Sequence, residues 1–176
     1  MSKQKFTSPR GELHWVNITG NGKPDLNGKP KFSADLICTP EEAAPLVELI
    51  DQLWEEHRPK GAKAPKSTGY KEMEDGNIRF SFKTDTTYPS GDKKEIKVYD
   101  AQAKQVQLDS QVGNGSIGKV AGMAAVYDAG VAARGVTLYL DQCQIIHLKR
   151  YEGGAAEFAA EEDGDFVEEG FTAEKL

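Results

Sequence analysis

The sequence predicts an all-β antiparallel barrel with one inserted helix, followed by a disordered acidic C-terminal tail. Three observations carry that reading. Short runs with period-two apolar alternation recur from residue 10 to residue 148, separated by turns rich in Gly, Pro, Asn and Asp. One stretch alone, about 40–57, switches to three- and four-residue apolar spacing. Beyond residue 151 the periodicity stops and carboxylates dominate. The absence of a strand–helix–strand rhythm argues against a parallel sheet and for a small closed or nearly closed barrel.

Residues 10–18, RGELHWVNI, form a first strand with apolar residues at both parities, so Trp15 reads either as core or as surface. Asn27-Gly28 marks a hairpin. In the next run, 31–38, Phe32, Ala34, Leu36 and Cys38 share one face, with Lys31, Ser33 and Asp35 on the other. The two runs are expected to pair antiparallel.

Thr39 is placed to cap the helix, Pro40 suits its first position, and Glu42 completes a capping box. Ala43, Leu46, Val47, Ile50, Leu53 and Trp54 form a stripe that must cover a sheet, and Pro45 is tolerated only with some distortion. The basic loop at about 59–76 carries Lys60, Lys63, Lys66 and Lys71. It reads equally as a segment folding around phosphates or as a solvated linker.

Strand 77–84 turns Ile78, Phe80 and Phe82 inward and Arg79, Ser81 and Lys83 outward. After a turn through Tyr88–Asp92, Ile96 and Val98 point inward, Lys97 and Tyr99 outward, and 105–108 extends this edge. Residues 116–127 set Val120, Ala124 and Val126 against Lys119, Met123 and Tyr127. Residues 135–148 set Val136, Leu138 and Leu140 against Thr137, Tyr139 and Asp141. The small residues Gly118, Ala121, Gly122 and Ala125 permit a sharp bend or a close approach.

The net charge of −6 conceals a partition. Residues 151–176 hold nine carboxylates against Lys175, a net of −8, which leaves +2 for 1–150. Within that body, the helix segment 41–57 has six acids and no Lys or Arg, so the remainder is +8. Such a pattern suits a polyanionic ligand, although a solvated surface with an uncharged partner has the same composition.

No dinucleotide fingerprint, Walker sequence or nucleophile elbow occurs, and His14, His57 and His147 are scattered without metal-ligand spacing. The run 113–118, GNGSIG, lacks the Gly-Lys-Ser/Thr ending of a phosphate loop and reads as a turn. Cys38 and Cys143 lie in separate apolar runs and are expected as free core thiols. An enzyme, a cofactor and a metal are therefore not expected. The N-terminus has no apolar signal region, and no stretch approaches the roughly 18 apolar residues of a membrane span. No membrane association is expected.

Three segments carry a family resemblance: NGKPKFSADLICTPEEAAPLVELIDQLWEE at 27–56, IKVYDAQ at 96–102 and GNGSIGKVAGMAAVYDAGVAARGVTLYLDQCQIIHL at 113–148. With the acidic tail, they resemble the single-stranded DNA-binding proteins of tailed bacteriophages, the broad T7-like group and its distant phage relatives. The resemblance implies an OB-fold-like barrel over 1–151 that coats single-stranded DNA in phage replication, recombination and repair, often as a homodimer. It places the protein in the cytoplasm of the infected host cell. It also implies that the tail, 152–176, competes with DNA for the groove and recruits replication proteins such as polymerase and helicase. T7-like members end in an aromatic residue, whereas this chain ends in Leu176 with Phe171 five residues earlier. Phe166, Phe171 and Leu176 are the candidate docking anchors.

The outward faces supply the DNA-binding candidates. Lys31, Arg79, Lys83, Lys97 and Lys119 are expected on phosphates, and Trp15, Tyr88, Tyr99, Tyr127 and Tyr139 under bases. The rival reading is a phage structural or adaptor protein that uses the same faces for subunit packing.

Overall fold

The computed structural model describes residues 3–108 and 111–150. Their strands are β1 (Lys3–Thr7), β2 (Gly11–Asn17), β3 (Lys23–Pro24), β4 (Pro30–Cys38), β5 (Tyr70–Glu72), β6 (Ile78–Asp85), β7 (Lys97–Tyr99), β8 (Gln105–Val106), β9 (Ser116–Asp128) and β10 (Arg134–His147). The helix α1 (Pro40–His57) lies between β4 and β5. Five strands close a ring in the order β2-β4-β6-β10-β9 and back to β2. All contacts around it are antiparallel except β6 with β10, which meet in parallel at Lys83 and Tyr139. This is the Greek-key connectivity of an OB-type barrel. Beyond the ring, β1 adds to β9, and β7 with β8 adds to the second half of β10.

The alternation read from sequence is the alternation of burial. Phe32, Ala34 and Leu36 on β4, Phe80 and Phe82 on β6, Val120 and Ala124 on β9, and Val136, Leu138 and Leu140 on β10 fill the interior. Each large side chain buried there contributes about 1.5–3 kcal/mol of transfer free energy. Phe6 of β1 stacks on Phe82 with ring centroids 5.6 Å apart. Cys38 and Cys143 are free and buried, and burial pushes both thiols up to about 12. They remain protonated and unreactive at neutral pH.

The helix begins and ends where expected. Thr39 Oγ1 accepts from the Glu42 N–H, and Glu42 reaches back to the Thr39 N–H. Helix α1 runs through Pro45 and sets Ala43, Leu46, Ile50, Leu53 and Trp54 against the barrel beside β1, β4, β9 and β10. Its acidic side faces solvent, except that Asp51 accepts a 2.6 Å hydrogen bond from Tyr70 Oη.

Three expectations need correction. The run at 10–18 is not the first strand, because β1 precedes it. The basic loop at 59–76 is not wholly irregular: Tyr70–Glu72 pairs with β6. The parity of 135–148 also does not persist. A bulge between Leu140 and Gln142 shifts the register against β9, so Leu140 and then Cys143 face inward. The tail, 152–176, and its anchors Phe166, Phe171 and Leu176 lie outside the described residues.

Candidate nucleic-acid interface

Strand register aligns the outward side chains in rungs. One rung crosses Asn17, Ser33, Lys83, Tyr139, Met123 and Lys5, on β2, β4, β6, β10, β9 and β1 in turn. A second joins Thr7, Ala121, Gln142 and Lys97, and a third joins Lys119, Gln144 and Tyr99. Adjacent strands lie about 4.8 Å apart, so the three rungs span about 24, 14 and 10 Å of surface. Over β9 and β10 the face sinks into a trough between β1 and β7. Its sides carry Lys5, Thr7, Tyr99, Lys119 and Met123, with Ala121 and Gly122 in its floor.

Two glycines of β9 lie close against the backbone of β10. A β-carbon on Gly122 would lie 1.8 Å from the Tyr139 carbonyl oxygen, and one on Gly118 would lie 2.2 Å from that of Gln144. Only glycine admits that approach. Gly118 and Gly122, two of the small residues noted in the sequence, thus admit the close approach of β9 to β10.

The candidate cations divide into two groups. Arg79 is engaged by Asp35, its Nη2 and Nε lying 2.7 and 2.8 Å from the same carboxylate oxygen. Lys31 is engaged by Asp85, which Lys29 also reaches at 3.3 Å. The hydrogen bond from Lys31, reinforced by Lys29, holds the Asp85 carboxyl below the usual carboxylate range. By contrast, the ammonium groups of Lys83, Lys97 and Lys119 have no hydrogen-bond or ion-pair partner among the described residues, and neither does that of Lys5, which sequence reading passed over. A lysine free of carboxylates carries its full charge to a phosphate.

The aromatic candidates also divide. Tyr139 is 38% exposed beside Lys83, and Tyr99 is half-buried along the trough. Tyr88 is exposed at the β6–β7 turn, with Lys94 Nζ 5.9 Å from its ring centre. Lys94 itself is tied to Thr84 and Asp141. Tyr127 belongs elsewhere, facing Gly135 at the far end of β9. Trp15 is surface: its side of β2 is turned out by a bulge between His14 and Asn17, leaving it 59% exposed.

Among the described residues no cluster of His, Cys, Asp and Glu has the arrangement of a metal site, and no helix is long and apolar enough to cross a membrane. The outward face carries lysines, exposed rings and amide side chains.

No protein-family model matches the chain, and no curated protein matches it in sequence. Solved structures do match. Gp2.5, a single-stranded DNA-binding protein encoded by bacteriophage T7, superposes with a TM-score of 0.68 at 22% identity, covering 94% of this chain and 100% of that one. The single-stranded DNA-binding protein of bacteriophage Enc34, in complex with single-stranded DNA, superposes with a TM-score of 0.63 at 11% identity. That match covers 85% of this chain and 89% of the Enc34 chain. At these identities the likeness is one of architecture, and it is specific: this chain has the OB-type fold of the phage single-stranded DNA-binding proteins.

Proposed function

We propose that the protein binds single-stranded DNA without sequence preference, along the rungs that cross β4, β6, β10 and β9. The observation that carries this reading is the rung Ser33–Lys83–Tyr139–Met123–Lys5, where unpaired lysines flank an exposed ring on one continuous face. Lysines follow the phosphates, and rings stack on bases of any identity. The face of the second and third barrel strands is also where OB-type barrels take oligonucleotides, and the Enc34 neighbour is described with single-stranded DNA bound. Lys83, Lys97, Lys119 and Lys5 are the phosphate contacts, with Tyr139, Tyr99, Tyr88 and Trp15 as stacking surfaces. Arg79 and Lys31 serve chiefly to hold Asp35 and Asp85.

The setting is phage DNA replication and recombination in the host cytoplasm. The division of labour is a binding domain over 1–151 and a tail over 152–176 that competes for the groove and docks polymerase or helicase through Phe166, Phe171 and Leu176. A homodimer belongs to the same proposal: β8 ends the sheet, and Val106 and Leu148 stand exposed near it. Sedimentation at two protein concentrations tests the dimer.

The function is tested by titrating labelled single-stranded and duplex oligonucleotides at two salt concentrations. Single strands should bind tightly at low salt and much more weakly at high salt, as condensed counterions are released. No binding at low salt, or a preference for duplex, sinks the proposal.

A further inference from the structure

We infer that Asn114 is a positioning residue for Trp15, fixing the indole on the outer face as a stacking platform for a nucleobase; this rests on the proposed binding of single-stranded DNA. Trp15 has φ +51°, in the left-handed region. A bulky side chain there is an outlier, and it persists only where its surroundings hold it.

The hold comes from two amide side chains. The Trp15 N–H donates to Asn114 Oδ1 at 2.9 Å, and Asn17 Nδ2 donates to the Trp15 carbonyl at 3.1 Å. The first bond matters most because of where β9 begins. The last backbone bonds between β2 and that segment surround Leu13, whose carbonyl accepts from the Gly115 N–H at 3.0 Å. One step further along, the chain offers Trp15 no strand, and the Asn114 side chain supplies the missing acceptor. The bulge then reverses the parity of β2. Leu13 points in, Trp15 points out, and Val16 points in again.

Strain that leaves a tryptophan outside the core does nothing for burial. It does leave Trp15 exposed two residues before Asn17, whose register continues through Ser33 to Lys83 and Tyr139. A ring there would extend the row of stacking surfaces onto β2.

The test uses the full chain, where Trp54 is buried and Trp15 is the tryptophan open to an aqueous quencher such as acrylamide. Oligothymidylate should shield Trp15 in the native protein. Asn114→Ala should alter Trp15 quenching before DNA is added and weaken oligothymidylate binding on the order of tenfold. The slope of log affinity against log salt should not change, because no phosphate contact is removed. Trp15→Ala combined with Asn114→Ala should bind no more weakly than Trp15→Ala alone. Asn114→Asp keeps an acceptor for the Trp15 N–H, so it should leave free-state quenching native-like even if its charge repels DNA.

Native quenching and affinity in Asn114→Ala would overturn the inference. So would an Asn114→Asp protein that disturbs Trp15 as much as alanine does. If the native protein fails to bind oligothymidylate, the proposed function falls, while the quenching of the two variants still decides whether Asn114 positions Trp15.

Discussion

Lys83 on β6 and Tyr139 on β10 stand opposite each other at the parallel junction that closes the barrel. One carries a free charge and the other an exposed ring, so their removal should be distinguishable. Lys83→Ala should lower the slope of log affinity against log salt by about 1. Tyr139→Ala should cost about 1–3 kcal/mol of binding with the slope intact. Titrations at four or more salt concentrations read both quantities, and an unchanged slope for Lys83→Ala would remove that lysine from the phosphate path.

Arg79 should behave differently from Lys83 although it lies on the same strand face. Its guanidinium is already committed to Asp35. Arg79→Ala is expected to change the salt slope less than Lys83→Ala does. Its cost should appear in stability, about 1–3 kcal/mol, because it leaves the partly buried Asp35 carboxylate without its donor. Urea unfolding measures that cost. A slope change as large as that of Lys83→Ala would show that DNA takes Arg79 away from Asp35.

Gly122 offers a test of the trough floor. An added methyl would collide with the backbone of Tyr139, which cannot swing aside as a flexible side chain would. Gly122→Ala should therefore destabilise the barrel by about 1–3 kcal/mol or more. The strands must separate to relieve the clash, so single-stranded DNA affinity should fall as well. A thermal midpoint equal to that of the native protein would refute the close approach.

The Lys31–Asp85 pair sets an acid-side dependence. Asp85 has a folded pKa below its unfolded value, so its contribution is present above about pH 4. That contribution disappears as pH falls through the folded pKa. Lys31→Met removes the leading cause of the depression, leaving Lys29 alone beside the carboxylate. The acid-unfolding midpoint, followed by circular dichroism, should move to higher pH. An unmoved midpoint would mean that the pair contributes nothing to acid stability.

Deleting 152–176 changes net charge from −6 to +2, since it removes nine acids and one base. A tethered polyanion has an effective concentration in the millimolar range, roughly, at a nearby groove. The truncated protein should thus bind single-stranded DNA more tightly at low salt, with the gap closing as salt screens both competitors. Phe166→Ala with Phe171→Ala should weaken docking of polymerase or helicase and barely alter DNA affinity, as every carboxylate remains. Paired titrations of full-length and truncated protein decide the point; equal low-salt affinities would leave the tail a recruitment or solubility element only.

Much of this was readable from residue order. The helix ends are written in Thr39, Glu42 and the stop before Pro59, and burial in β4, β6 and the first half of β10 follows local alternation. Tyr139, Tyr99 and the three unpaired candidate lysines were also placed outward by parity alone. Strand β1 escaped because KQKFT holds a single core residue, Phe6, and acquires its meaning only by pairing with β9 more than a hundred positions away.

Alternation is a property of neighbours in the chain, imposed by the two-residue repeat of an extended backbone. Sequence by itself could therefore determine which faces are apolar, where the helix lies and that lysines and rings share the outer side. Register and bulges depend on which distant segment lies alongside, and those the tertiary structure decided. Asp35 reaches Arg79 across 44 positions, and Asn114 holds Trp15 across 99. Whether a cation is free and which way a tryptophan points are settled by such cross-strand partners, because ion pairing and bulge formation act over ångströms in space, whatever the separation in sequence.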